Sequence, residues 1–201
     1  MEANCSMDEK KRILYISVLI ALASALQIAE SLFPHPLPWL RLGLANMITL
    51  TSLVIFGYAV AVRVAVLRTI LSSFLLGTFF TPGFFLSFSG ALMSALVMGG
   101  TYSTRKVAEG NPSPRYMFGF SIMGVSILGA VSHNLTQLFV AYLFLIRHRG
   151  VFLALPFLIV AGVVTGYITG YGANCLSREV GKIMAEGSKS PHPPLSPEGR
   201  G

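Results

Sequence analysis

The sequence is short of carboxylates. Its 201 residues hold eight Asp and Glu in all, Asp8 is the single aspartate, and Glu30 is the only acid between Lys10 and Ala108. Enzymes that grip diphosphates through magnesium use clustered carboxylates as oxygen ligands, and no such cluster can be assembled from the middle of this chain. A GxxxxGK(S/T) phosphate loop, an HExxH and a CxxC are all missing. The chain by itself is therefore not an ATPase, and it does not read as an independent prenyl-diphosphate synthase. Cys5 and Cys175 lie near opposite ends, with no metal or disulfide spacing. Nothing in the spacing of Ser132, His133 and Glu30 favours a hydrolytic triad over a polar helix contact. We expect no catalytic residue, no metal and no cofactor.

Charge of either sign is also scarce. Charged residues make up 11% of the chain and hydrophobic ones 53%, against about a quarter charged in ordinary soluble domains. A bilayer-spanning helix needs about 20 predominantly apolar residues, and six such stretches follow one another with short joins. Their approximate limits are residues 13–33, 43–56, 59–80, 83–101, 118–146 and 152–176. The runs do not alternate, which excludes a porin-like barrel. The expected architecture is an all-α membrane protein, a bundle of six transmembrane helices over residues 13–176. Residues 1–12 form a polar N-terminal segment and residues 177–201 a polar, largely disordered tail. The first apolar run continues past Ala21, Ala23 and Ala25, so it is read as a retained span and not a cleaved signal.

The net charge of +7 would suggest nucleic acid in a soluble protein, but here position matters more than sum. Basic residues gather at Lys10, Lys11 and Arg12, at Arg105, Lys106 and Arg115, and at Arg178, Lys182 and Lys189. Such clusters mark cytoplasmic loops and tails. With an even number of spans, both termini face the cytoplasm of a bacterial-type inner membrane, and no nucleic-acid partner is expected. Arg147 and Arg149 run against this rule.

An ionisable group in hydrocarbon costs about 2.5 to 3.5 kcal/mol even on the lenient insertion scale, so the polar residues inside the spans need a reason. At 100° per residue, Ser24, Gln27, Glu30 and Ser31 fall within about 120° of one another on the first helix, and Ala21, Ala25 and Ala29 fall on the opposite side. The alanine stripe suits close helix contact, either within the bundle or with a partner. Stripes of the same kind stand at Ala91, Ala95 and Gly99 and at Gly162, Gly166 and Gly170. Arg63 lies near the inner end of the third span and can snorkel. Arg68 lies near the midplane and cannot. In the fifth span Ser126, Ala130, His133, Asn134, Gln137 and Ala141 share one face at helical spacing. Arg41, Asn46 and Thr49 open the second span. Four helices thus bring polar groups to overlapping depths, and Glu30, Arg41, Asn46, Arg68, His133, Asn134 and Gln137 are the candidate lining of a solute pocket.

Four strings carry a resemblance: E-S-L-F-P at residues 30–34, R-L-G-L-A-N-M-I-T-L at 41–50, G-V-S-I-L-G-A-V-S-H-N-L-T-Q-L at 124–138 and A-G-V-V-T-G at 161–166. With them the chain resembles the Gx transporter family, often labelled heptaprenyl diphosphate synthase component I. That family is similar in architecture to the S components of energy-coupling factor vitamin transporters. The resemblance implies an outward-facing solute pocket inside six helices. It also implies a docking stripe at Ala21, Ala25 and Ala29 for a membrane coupling subunit driven by separate ATPases. The expected function is an S-component-like uptake subunit for a small solute, with Arg68 and Arg41 favouring an anionic one. The alternative is a noncatalytic membrane subunit of polyprenyl diphosphate synthesis, beside a separate catalytic chain.

The topology predicts that Cys5 and Cys175 both face the cytoplasm. In intact cells neither thiol should react with a membrane-impermeant maleimide until the membrane is opened. Labelling of either from outside would overturn the arrangement.

Overall fold

The computed structural model describes the backbone of residues 2–32, 43–109 and 121–188, and side chains over most of these. Among the described residues there are six α-helices, one 3-10 turn and no strand. Helix α1 runs Glu2–Leu32, α2 Leu44–Phe56, α3 Tyr58–Leu75, α4 Pro82–Glu109, α5 Ile122–Phe144 and α6 Leu155–Ser188. Five of them contain stretches long and apolar enough to cross a membrane, by length and composition. Helix α2, with 13 residues, spans about 20 Å at 1.5 Å per residue and is shorter than the hydrocarbon layer of about 30 Å.

Local chemistry explains the breaks. Gly57 ends α2 and starts α3 at φ 90°, a backbone conformation open to glycine alone at little cost, so the two helices fold back through one residue. Pro82 takes the first position of α4, where its missing N–H loses nothing. Ser121 caps α5, its hydroxyl accepting from the Gly124 N–H at 3.2 Å. The 3-10 turn Arg149–Ala154 leads into α6. Helix α6 continues past Leu176 to Ser188, so the first part of the segment expected as tail is helical. Residues 189–201 lie outside the described residues.

The short helix is the central one. Helix α2 touches each of the other five, while α5 packs between α4 and α6, and α1 packs on α2 and α3. Residues Ala45, Asn46 and Ile48 to Leu53 of α2 are all buried. Enclosure is what lets so polar a helix survive among apolar neighbours. Its Thr49, Thr51 and Ser52 hydroxyls donate to backbone carbonyls one turn back, so none is left to desolvate alone. The outer surface of α6 is the reverse: Val160, Val164, Tyr167, Ile168 and Tyr171 are all more than half exposed. A continuous apolar surface of that kind suits lipid and not water.

The three small-residue stripes have different fates. On α6, a Cβ added at Gly166 would stand 2.6 Å from the Ile127 Cα, and one at Gly162 3.0 Å from the Val131 Cα. Those glycines let α5 and α6 meet backbone to backbone. On α4, Ala91 and Ala95 are buried, and a Cβ at Gly99 would overlap the ring of Tyr58. On α1, Ala21, Ala25 and Ala29 are exposed, while Ser24, Gln27 and Glu30 on the other side are buried. The two faces fall where helical geometry puts them, and the alanine face is not packed inside the bundle.

This contrast predicts opposite outcomes for one kind of substitution. Gly166→Leu should abolish the monodisperse detergent-solubilised protein, since overpacking a close contact costs about 1 to 3 kcal/mol or more. Ala25→Leu should leave size-exclusion behaviour and thermal stability near those of the unaltered protein. A stable Gly166→Leu variant would show that α5 and α6 do not depend on this approach.

Candidate functional site

Helix α3 carries Arg68 into the bundle with only 3% of its surface exposed. Two neutral amides meet its guanidinium. Nη1 donates to Gln27 Oε1 at 3.0 Å from α1, and Nη2 donates to Asn46 Oδ1 at 2.7 Å from α2. One side chain therefore ties three helices, and the hydrogen bonds to its charge are of the stronger, charge-assisted kind. Arg63, one and a half turns earlier on the same helix, is exposed as a snorkelling residue should be.

The approach to α2 explains the G-L-A-N string residue by residue. Gly43 adopts φ 76°, a left-handed conformation that suits glycine. The Asn46 N–H returns to the Gly43 carbonyl at 2.8 Å. The Leu44 N–H, free of any intrahelical acceptor at this position, donates to Glu30 Oε1 from the end of α1. Glu30 thus sits as a carboxylate at a helix N-terminus, where negative charge is stabilised, and Asn46 turns its amide oxygen to Arg68.

Gln27, Glu30, Asn46, Arg68, Ser87 and His133 line one cavity of about 20 Å³, room for about one water. Five helices contribute to it. His133 and Gln137 of α5 come close to α4 at Gly90, where an added Cβ would stand 2.9 Å from His133 Cε1 and 3.0 Å from Gln137 Cγ. The absence of a side chain at Gly90 makes the space that both occupy.

The polar face of α5 divides between two clefts. His133 and Gln137 turn to α4, whereas Asn134 donates to the Leu158 carbonyl of α6 at 3.0 Å and Ser126 lies 3.0 Å from the Thr169 hydroxyl. Asn134 thereby holds α6 in place, although with Asn46, His133 and Thr169 it also lines a minor cleft of about 10 Å³. Of the residues expected at the site, Glu30, Asn46, Arg68 and His133 gather around the main cavity, while Asn134 lines the minor cleft and Gln137 lies against Gly90 of α4. Arg41 lies outside the described residues. Gln27 and Ser87 complete the cavity and were not among the expected residues. Gln27 had a signal in the sequence, since it shares the polar face of α1 with Glu30, but nothing in the α4 sequence singled out Ser87. Among the described residues no group of three or more His, Cys, Asp or Glu could hold a metal ion.

A family model described as heptaprenyl diphosphate synthase component I matches residues 19–176. No curated protein and no solved structure matches the chain.

The capping role of Glu30 predicts a split between two substitutions. Glu30→Ala should lower thermal stability by about 1 kcal/mol or more, the usual cost of a lost helix cap. Glu30→Gln keeps an oxygen for the Leu44 N–H and should retain most of the stability. Equal losses in both, by thermal unfolding in detergent, would remove the hydrogen bond to α2 as the reason for this residue.

Proposed function

We propose a membrane-embedded binding subunit for a small anionic solute as the role of this chain, which belongs to the heptaprenyl diphosphate synthase component I family over residues 19–176. The observation that carries the reading is Arg68. A guanidinium is effectively always charged, and a buried charge in an apolar bundle is costly unless its surroundings answer it. Gln27 and Asn46 hold the side chain by charge-assisted hydrogen bonds at the wall of a cavity to which five helices bring polar groups or backbone. Asn46, Ser87 and His133 give the same cavity hydrogen-bonding groups from three further helices.

In this reading Arg68 binds the anionic group, His133 and Gln137 add hydrogen bonds, and Glu30 and Asn134 keep α2 and α6 in position. With a cavity of about 20 Å³, the site is closed around Arg68, and solute entry requires helices to part. The exposed face of Ala21, Ala25 and Ala29 gives a coupling subunit of the S-component kind a surface of suitable chemistry, with separate ATPases driving uptake.

The family's description favours a second reading, a noncatalytic membrane subunit that assembles with another component of polyprenyl diphosphate synthesis. The same alanine face would then serve that partner. Mass spectrometry of the molecules that copurify with the protein separates the two, since a small water-soluble anion supports the first reading and a long isoprenoid the second.

Arg68→Ala and His133→Ala should each weaken binding of the copurified solute at least tenfold, because leaving one side of a buried charged contact unpaired costs about 2 to 5 kcal/mol and about 1.4 kcal/mol is a factor of ten. Arg68→Lys, which keeps charge but loses the planar fork, should fall between. Unaltered affinity in purified, monodisperse Arg68→Ala and His133→Ala would take both residues out of the site.

A further inference from the structure

A second and larger cavity, about 220 Å³, lies beside the Arg68 cavity and shares Gln27 and Ser87 with it. Ser31 on α1 and Ser72 on α3 border it, each four residues past a residue of the Arg68 cavity. Four residues of helix rise about 6 Å, so it sits one turn nearer the end of the bundle where α1 stops and α4 begins. Burial is graded along it. Gln27, Ser72, Ser73 and Ser87 at its floor are buried, Leu76 is half-buried, and Leu32, Thr78 and Gly83 at its rim are exposed. The cavity therefore opens at that end of the bundle.

The floor holds polar groups that the protein itself does not engage. Ser73 is 4% exposed and Ser87 5%, and among the described residues neither hydroxyl has a hydrogen-bond partner. Gln27, also 5% exposed, has its amide oxygen on the Arg68 Nη1 at 3.0 Å. A guanidinium has no acceptor, so the oxygen must be the atom that meets it, and the amide nitrogen keeps its two donors. Ser72 is a different case, since its proton goes to the Thr69 carbonyl at 3.2 Å. The three open groups come from three helices, α1, α3 and α4.

Buried polar groups left without a partner cost free energy, so the cavity must bring them one. At about 220 Å³ it lies below the ~300 Å³ at which pockets for drug-sized ligands begin, which limits a guest to a few carbons. Among the described residues no ionisable side chain lines it, and an ion inside would lack a counter-charge. The fitting guest is uncharged. At Gln27 it must accept, while at the serines it can accept or donate. A single carbonyl cannot meet three groups on three helices, whereas several hydroxyls on a short carbon chain can. We propose that this cavity binds a small uncharged polyol, held by the Gln27 amide nitrogen and the Ser73 and Ser87 hydroxyls. The charge of Arg68 plays no part in this binding, which stands apart from the anion reading above.

Calorimetric titration of the purified protein with erythritol tests this, in buffer free of glycerol and a detergent without a sugar headgroup. Erythritol should bind about tenfold more tightly than the butanediol that lacks its two inner hydroxyls, because a site built for hydroxyls rejects an analogue that leaves its buried groups unpaired. Ser73→Ala should weaken erythritol binding about fivefold, the scale of one hydrogen bond. Ser73→Thr keeps a hydroxyl and should retain most of the affinity. Absence of erythritol binding assigns the cavity to water and overturns the proposal, as do equal affinities for the two probes or unchanged erythritol binding in Ser73→Ala. None of these outcomes bears on the anion reading, which is tested at Arg68 and His133.

Discussion

Burying the Arg68 guanidinium among apolar helices is the constraint on which the rest of the structure depends. Such a charge is stable only if donors and acceptors reach it from elements that must then stay where they are. Gln27 reaches it from α1 and Asn46 from α2, so three helices are registered against each other by one side chain. The short, enclosed α2 follows from this. A helix that supplies Asn46 to the centre and carries Thr49, Thr51 and Ser52 has no face suited to lipid, and it lies in contact with all five of its neighbours.

Close approach is the second requirement, met by omitting side chains. Gly162 and Gly166 bring α6 against the α5 backbone, and Gly90 admits His133 and Gln137 toward α4. Apolar packing between helices has little hydrophobic drive in lipid, and contact area gained by small residues supplies much of the attraction instead. The bundle is thus tight where glycine permits and polar where Arg68 demands, and the two coincide around His133.

Much of this was legible in the sequence. The all-helical class, the six helical runs and the breaks near Gly57 and Pro82 follow from composition and proline and glycine chemistry, and the membership of the component I family agrees with the strings that suggested it. The opposed faces of α1 were also legible, because periodicity fixes angles within a helix. Less legible were the partners. The sequence did not show that Glu30 accepts from the Leu44 N–H at the start of α2, or that Asn134 donates to the Leu158 carbonyl of α6.

Periodicity within one helix says which residues share a side, and by itself the sequence determined that Ser24, Gln27 and Glu30 share one side of α1 and Ala21, Ala25 and Ala29 the other. It could not determine what each side meets, since the same small-residue spacing lies inside the bundle on α4 and α6 and outside it on α1. Only the tertiary structure decided that the polar face of α5 splits between α4 and α6 and that Ser87 joins Arg68 at one cavity. The physical reason is that contacts between helices depend on their relative rotation and depth, which are set by the whole packing and written in no single segment.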